Sequence, residues 1–266
     1  MTAPPDCRRQ GARRLVLATL PAVIVLTLAL AGQGIAAAAL FTTVFVTIAA
    51  GTLLPRSRLF GPHLSELPPA HAAGAVWITI DDGPDPATTP ALLEILDRHA
   101  APAAFFLIGA KARRHPELVR DIVRRGHLIG NHSHTHPSAH FWRLRPDALW
   151  RELHTCQQTL ADITGSPPTL FRPPVGHHNL FLGPPLRALG LTMVMWNCRG
   201  FDGVYRHVPR ILQRLGRGLR PGAIILIHDA TPVAAAVLEG VLNLLRERRL
   251  RPILPPETAL VPASAA

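Results

Sequence analysis

Thr79-Ile80-Asp81-Asp82-Gly83-Pro84-Asp85 closes an apolar run over residues 76–80 with two adjacent carboxylates. Successive strand residues point to opposite faces, so neighbouring aspartates share one centre only where the chain leaves the strand, and Gly83-Pro84 makes it leave. One carboxylate can then hold a cation while the other takes a proton. A turn with solvated or helix-capping aspartates accounts for the heptapeptide equally well in isolation. Three further stretches decide between these readings.

Gly130-Asn131-His132-Ser133-His134-Thr135-His136-Pro137 follows a short apolar run over 127–129. His132 and His136 stand four residues apart, a spacing that puts two imidazoles on one side of a helical turn. With one of the carboxylates they would supply three protein ligands of an open catalytic metal site. Phe171-Arg172-Pro173-Pro174-Val175-Gly176 sets an arginine, fixed by two prolines, at the end of apolar residues 169–171. Ile224-Ile225-Leu226-Ile227-His228-Asp229 has the pattern of a buried strand ending on a histidine.

In order and chemistry these four strand ends resemble the polysaccharide deacetylases, carbohydrate esterase family 4 with its NodB homology domain. The patterns T-[FI]-D-D-G, H-[ST]-x-x-H, R-x-P-x-G and L-x-H follow one another across residues 75–254. The resemblance implies a hydrolase of linear amides that removes an N-acetyl or other N-acyl group from an amino sugar. It implies Asp81 as general base, and Asp82, His132 and His136 as ligands of a divalent metal, Zn2+ first, with Co2+, Ni2+ or Mn2+ as alternatives. Arg172 would keep Asp81 ionised, and a backbone amide near Val175, in Pro174-Val175-Gly176, would help to stabilise an oxyanion. Leu226 would line the pocket for the acyl methyl group, and His228 would protonate the leaving amine. The chemistry is consistent with that casting: Zn2+ lowers the pKa of its water to roughly 7, and histidine titrates near neutrality.

One motif departs from the family. Where many members carry D-x-x-D-W, this chain has Trp196-Asn197-Cys198-Arg199-Gly200-Phe201-Asp202-Gly203. Asp202 is kept and is expected to orient His228, whereas Asn197 and Arg199 stand at acidic positions and Gly203 at the tryptophan. The usual signal for a groove that accepts a long glycan is therefore missing. Arg199 adds positive charge suited to an anionic substrate such as a phosphate-linked sugar, although an arginine pointing to solvent explains it equally well. His134 should face away from the ligand pair, and His177 and His178 either line the pocket or lie exposed.

Residues 15–31 and 35–54 carry no charge and are joined by Gly32-Gln33-Gly34. About 20 apolar residues cross the roughly 30 Å of bilayer hydrocarbon, so the favoured reading is a two-span transmembrane hairpin. A cleaved signal peptide ending at residues 36–39 leaves the second segment unexplained. A single span would be far too long. Arg8, Arg9, Arg13 and Arg14 precede the hairpin and Arg56 and Arg58 follow it, so the positive-inside rule puts both ends in the cytoplasm. The expectation is a multi-pass protein of the inner cell membrane with a cytoplasmic catalytic domain; an extracytoplasmic domain is the alternative. Substrate follows from topology: an N-acylated amino-sugar glycan, or a lipid-linked sugar deacetylated or deformylated at the inner membrane face. A non-catalytic carbohydrate-binding relic is the reading from another class.

The expected organisation is a basic tail over 1–14, membrane segment over 15–54, linker over 55–74, catalytic domain over 75–254 and tail over 255–266. Strands are predicted near 76–80, 103–107, 127–129, 169–171, 191–196, 223–227 and 252–254, with helical patterns at 88–99, 115–125, 146–164 and 233–249. Their alternation argues an α/β fold with a parallel sheet. Site residues at strand C-terminal ends suit a barrel, and the resemblance implies a distorted (β/α)7 version behind the N-terminal transmembrane hairpin. Net charge is +11, and the amphipathic stretches 115–125 and 209–220 could rest their arginines on membrane lipid. Without aromatic interleaving, nucleic acid is not an expected partner. Cys7, Cys156 and Cys198 are few and odd in number, which implies no disulfide framework.

Overall fold

The computed structural model describes residues 2–256, so most of the tail expected over 255–266 lies outside the described residues. Two helices, α1 (Pro5–Leu30) and α2 (Gly34–Leu53), pack as a hairpin about Gly32, and both are long and apolar enough to cross a membrane. The rest alternates strand and helix: α3 (Pro69–Ala72), β1 (Ala75–Gly83), α4 (Thr89–Arg98), β2 (Ala103–Leu107), α5 (Gly109–Arg114), α6 (Pro116–Arg124), β3 (Leu128–Asn131), α7 (Pro146–Thr164) and β4 (Leu170–Phe171). After these come α8 (Gly183–Ala188), β5 (Thr192–Met193), β6 (Cys198–Arg199), α9 (Val208–Gly218), β7 (Ile224–His228), α10 (Ala234–Glu247) and β8 (Arg251–Pro252).

The strands form one parallel, curled sheet in the order β5-β4-β3-β2-β1-β7-β6, with β8 beside the start of β1. This is the expected distorted (β/α)7 barrel. Among the described residues no ladder joins β5 to β6. Residues 64–67, within the expected linker, close that gap: the Leu64 amide donates to Met193 O at 2.9 Å, Met195 N to Leu64 O at 2.7 Å, and Leu67 N to Gly222 O at 2.9 Å.

A parallel strand covered on both faces has to be largely apolar, and over residues 75–80 β1 is, with Thr79 as its polar exception. On its outer face Val76, Ile78 and Ile80 pack against Leu92 and Leu96 of α4, Ile122 of α6 and Val237 and Val241 of α10. Its inner face sets Trp77 among Phe106, Phe171, Met195 and Leu226. Each such side chain contributes roughly 1.5–3 kcal/mol when fully buried. Alternation then points Thr79 and Asp81 along the same inner face as Trp77, toward the mouth of the barrel.

The strand expected over 191–196 stops at Met193, because the Val194 and Met195 carbonyls are taken by Arg172. Strand β6 and the helices α5 and α8 were not expected; they are two to six residues long, too short for periodicity to mark.

Candidate active site

Arg172 leaves β4 wholly buried. Its Nη1 donates to Asp81 Oδ1 at 2.7 Å and to Thr79 Oγ1 at 2.8 Å, while Nε and Nη2 donate to the carbonyls of Val194 and Met195, both at 3.0 Å. Burial pushes the guanidinium pKa down and the Asp81 carboxylate opposes it; an arginine so placed stays charged. Removing either partner of a buried pair costs about 3–5 kcal/mol, so Arg172 fixes Asp81 in place.

Asp82 would point to the outer face if the strand simply continued. Its φ of 72° makes a bulge in the ladder there, with Gly83 paired again to Leu107, a conformation that Asp tolerates better than most residues. Lys111 Nζ, donating to Asp82 O at 2.8 Å, holds the bulge. The Asp82 carboxylate consequently lies with Oδ1 3.4 Å from His132 Nε2 and 3.2 Å from His136 Nε2. Burial resists its ionisation, but His132, then His136 and His228, outweigh this when protonated and hold it below the usual carboxylate range.

The His132–His136 pair does not sit on a helical turn, as the spacing suggested. The loop is irregular, with Ser133 at φ 63° and His136 at φ 54°, and Ser133 Oγ accepting from His136 N at 3.1 Å. His132 Nδ1 is 2.8 Å from Arg172 O, a partner that can only accept, so Nδ1 carries the proton and Nε2 offers a lone pair. Burial, then His132, lowers the His136 pKa to about 4, leaving it neutral as a ligand must be. The ligand atoms of Asp82, His132 and His136 all lie within 4.8 Å of one another, and Asp82 Oδ1 is buried without a hydrogen bond. An orphaned carboxylate oxygen facing two imidazole lone pairs fits a divalent cation.

Opposite these groups, His228 pairs in register with Asp81. Asp202 accepts from the His228 backbone N at 2.6 Å and lies 3.0 Å from Nδ1. Burial would lower the imidazole pKa, but Asp202, Asp81 and Asp82 prevail and push it up to about 9. Leu226 shares the inner face two residues earlier, in register with Thr79 and Arg199. Val175, with φ 50°, is half exposed at the rim, and Gly176 packs so closely that a Cβ there would meet the Trp196 ring at 2.4 Å. Pro174 is buried beneath them.

His134 is half-buried, its Nε2 3.0 Å from Arg113 and its Nδ1 packed on Gly109 rather than among the ligand atoms. His178 is buried: its backbone N–H donates to Thr52 O at 3.0 Å and its Nε2 lies 3.2 Å from Pro55 O, joining the Arg172 loop to the hairpin base. Sequence reasoning missed Lys111, and it missed Asn131, whose side chain spans Leu153 O, Gln157 and Ser133 N to shape the histidine loop. The signal for Asn131 was a polar residue ending a buried strand.

Residues 70–194 match the family model described as Polysaccharide deacetylase. The peptidoglycan-N-acetylglucosamine deacetylase PgdA of Listeria monocytogenes is 31% identical over 69% of this chain, which spans only 38% of that protein's length. The chitooligosaccharide deacetylase of a Bradyrhizobium species is 35% identical over 59% of this chain and 72% of its own. A family 4 carbohydrate esterase from Streptomyces lividans, solved in complex with acetate, superposes with a TM-score of 0.65 at 31% identity, over 73% of this chain and all of that one.

Proposed function

This chain belongs to the polysaccharide deacetylase family, and from that premise we propose that it is a metal-dependent hydrolase removing an acyl group, acetyl first, from the nitrogen of an amino sugar. One observation carries the reading: the Asp82, His132 and His136 ligand atoms converge between Arg172-bound Asp81 and Asp202-bound His228. Asp82, His132 and His136 would hold the cation, Zn2+ first. When bound, it would polarise the amide carbonyl and acidify water. Asp81, held by Arg172, would accept the proton of the attacking water. The amide near Val175 would face the developing oxyanion and Leu226 the acyl methyl group. His228, with Nδ1 engaged by Asp202, would pass a proton from Nε2 to the leaving amine.

The substrate admits a second reading, a lipid-linked sugar met at the inner membrane face. It is supported by the hairpin base, where Thr52 O and Pro55 O lie against His178 and Arg14 Nη1 donates to Leu180 O at 2.6 Å, six residues or more past Arg172 on the same loop. A mouth so tethered sits close to the bilayer surface. The full acid, base and ligand set argues against a non-catalytic relic.

The test uses the full chain in detergent, with metal measured by atomic emission and acetate release from a chitooligosaccharide. His132→Ala should lose the metal. Asp81→Asn should keep it and lose at least about a hundredfold in turnover, as expected for a general base. Stoichiometric metal in the first variant, or near-normal turnover in the second, would overturn the assignment.

A further inference from the structure

Arg199 and Leu226 are register partners, and Leu226 precedes His228 by two residues, so all three share the face that lines the mouth. The Arg199 guanidinium lies 4.0 Å from the Phe201 ring centroid and 5.5 Å from that of Trp196, which is also 5.5 Å from Arg172. Arg214 continues the ladder, 5.4 Å from Phe201 and 4.4 Å from Tyr205. Neither the Arg199 nor the Arg214 guanidinium has a hydrogen bond or a carboxylate partner among the described residues. The one acid on this segment, Asp202, is buried and committed to His228. Burial works against the Arg199 charge, and no neighbouring acid offsets it.

Stacking occupies the π faces of a guanidinium and leaves its five in-plane N–H donors unused. Two such forks on one aromatic ring, half-buried and uncompensated, match the chemistry of a phosphate better than that of a neutral hydroxyl. Gly203 lets this segment lie close against His228, since a Cβ there would stand 3.3 Å from the ring. In a 2-acylamino sugar the anomeric oxygen stands on the carbon next to the one bearing the scissile amide. An anion carried there falls beside the group that protonates the amine.

We propose that Arg199 and Arg214 form an anion subsite flanking His228, which takes the phosphate or diphosphate on the anomeric carbon of an N-acylated amino sugar. The assignment rests on the hydrolase reading given above. Nucleotide sugars and lipid-carried sugars share this chemistry.

The full chain in detergent is titrated by calorimetry with N-acetylglucosamine and N-acetylglucosamine 1-phosphate. The wild type should bind the phosphate at least about tenfold more tightly, the scale of a charge-assisted pair. Arg199→Gln and Arg214→Gln should each erase most of that preference, while Arg199→Lys, which keeps charge without the fork, should retain part of it. Near-ultraviolet circular dichroism verifies that each variant is folded. No preference in the wild type, or the same preference in both Gln variants, overturns the subsite. The hydrolase reading fails separately, as phosphate preference in a chain that releases acetate from none of these sugars. Turnover of UDP-N-acetylglucosamine against polyprenyl-diphosphate N-acetylglucosamine names the source, and cleavage of chitooligosaccharide with neither accepted also overturns the proposal.

Discussion

His228 is held at two atoms by one carboxylate, and the direction of its titration follows from that. Asp202 takes both the backbone N–H and Nδ1, and with Asp81 and Asp82 it outweighs burial to bring the imidazole to about 9. A group proposed as general acid works while protonated, so its contribution should fade as pH rises through that value. Asp202→Asn removes the main raising charge, and the alkaline limb of kcat/KM should move to lower pH by at least about one unit. A pH–rate profile measures this; an unmoved limb would leave Asp202 no part in tuning His228. The linked stability has the same sign. A histidine raised from 6.5 to about 9 stabilises the fold fully below 6.5 and loses that contribution as pH climbs to 9, so the Tm gap between wild type and variant should narrow over that window. Asp202 was legible because it stands in a motif. Lys111 was not, although it is the chain's only lysine: its target, Asp82 O, lies 29 residues away, and only the packing of α5 against the end of β1 brings them together.

At the level of elements, patterns survive where each residue's partner is set by its own strand or helix. The apolar runs of β1, β2 and β7 and the amphipathic α4, α6, α7 and α10 were readable for that reason. The β5–β6 gap was not, because its backbone groups are satisfied by the Arg172 side chain and by a strap more than a hundred residues earlier. The Arg172 loop is similarly non-local. Asn179 Nδ2 ties it to Phe141 O at 2.8 Å and Leu144 O at 3.0 Å, and His178 ties it to Thr52 and Pro55 of the hairpin base. The hairpin therefore braces the loop that carries Arg172 and Val175, and among the described residues it makes no hydrogen bond to Asp82, His132 or His136. Deleting residues 1–54 should leave one metal per chain and lower kcat/KM by about tenfold to a hundredfold, the usual effect of a displaced site loop. Full turnover by the truncated chain would show the brace to be idle.

For the molecule as a whole, both ends of the hairpin meet the barrel on one side. Ala3 and Cys7 at the start of α1 pack on Trp150, Ala3 N donates to Asp147 at 3.1 Å, and Thr52 at the end of α2 meets His178. Between these ends the apolar side chains from Leu15 to Leu54 are largely exposed, as lipid-facing residues would be. Arg8, Arg9, Arg13 and Arg14 lie just before that girdle and Arg56 and Arg58 just after it. If the helices span, the positive-inside rule holds the basic end and the barrel on the cytoplasmic side. There the enzyme could not reach mature wall glycan and would meet its sugar at the inner leaflet. All three cysteines are free and buried, which is compatible with a reducing compartment. A reporter active only outside the cytosol, fused after Pro55 and again at the C-terminus, should stay silent in both positions, while a cytosol-active reporter should be on in both. The reverse pattern would place the barrel outside, and the substrate would then be an extracytoplasmic polysaccharide rather than a lipid-linked sugar.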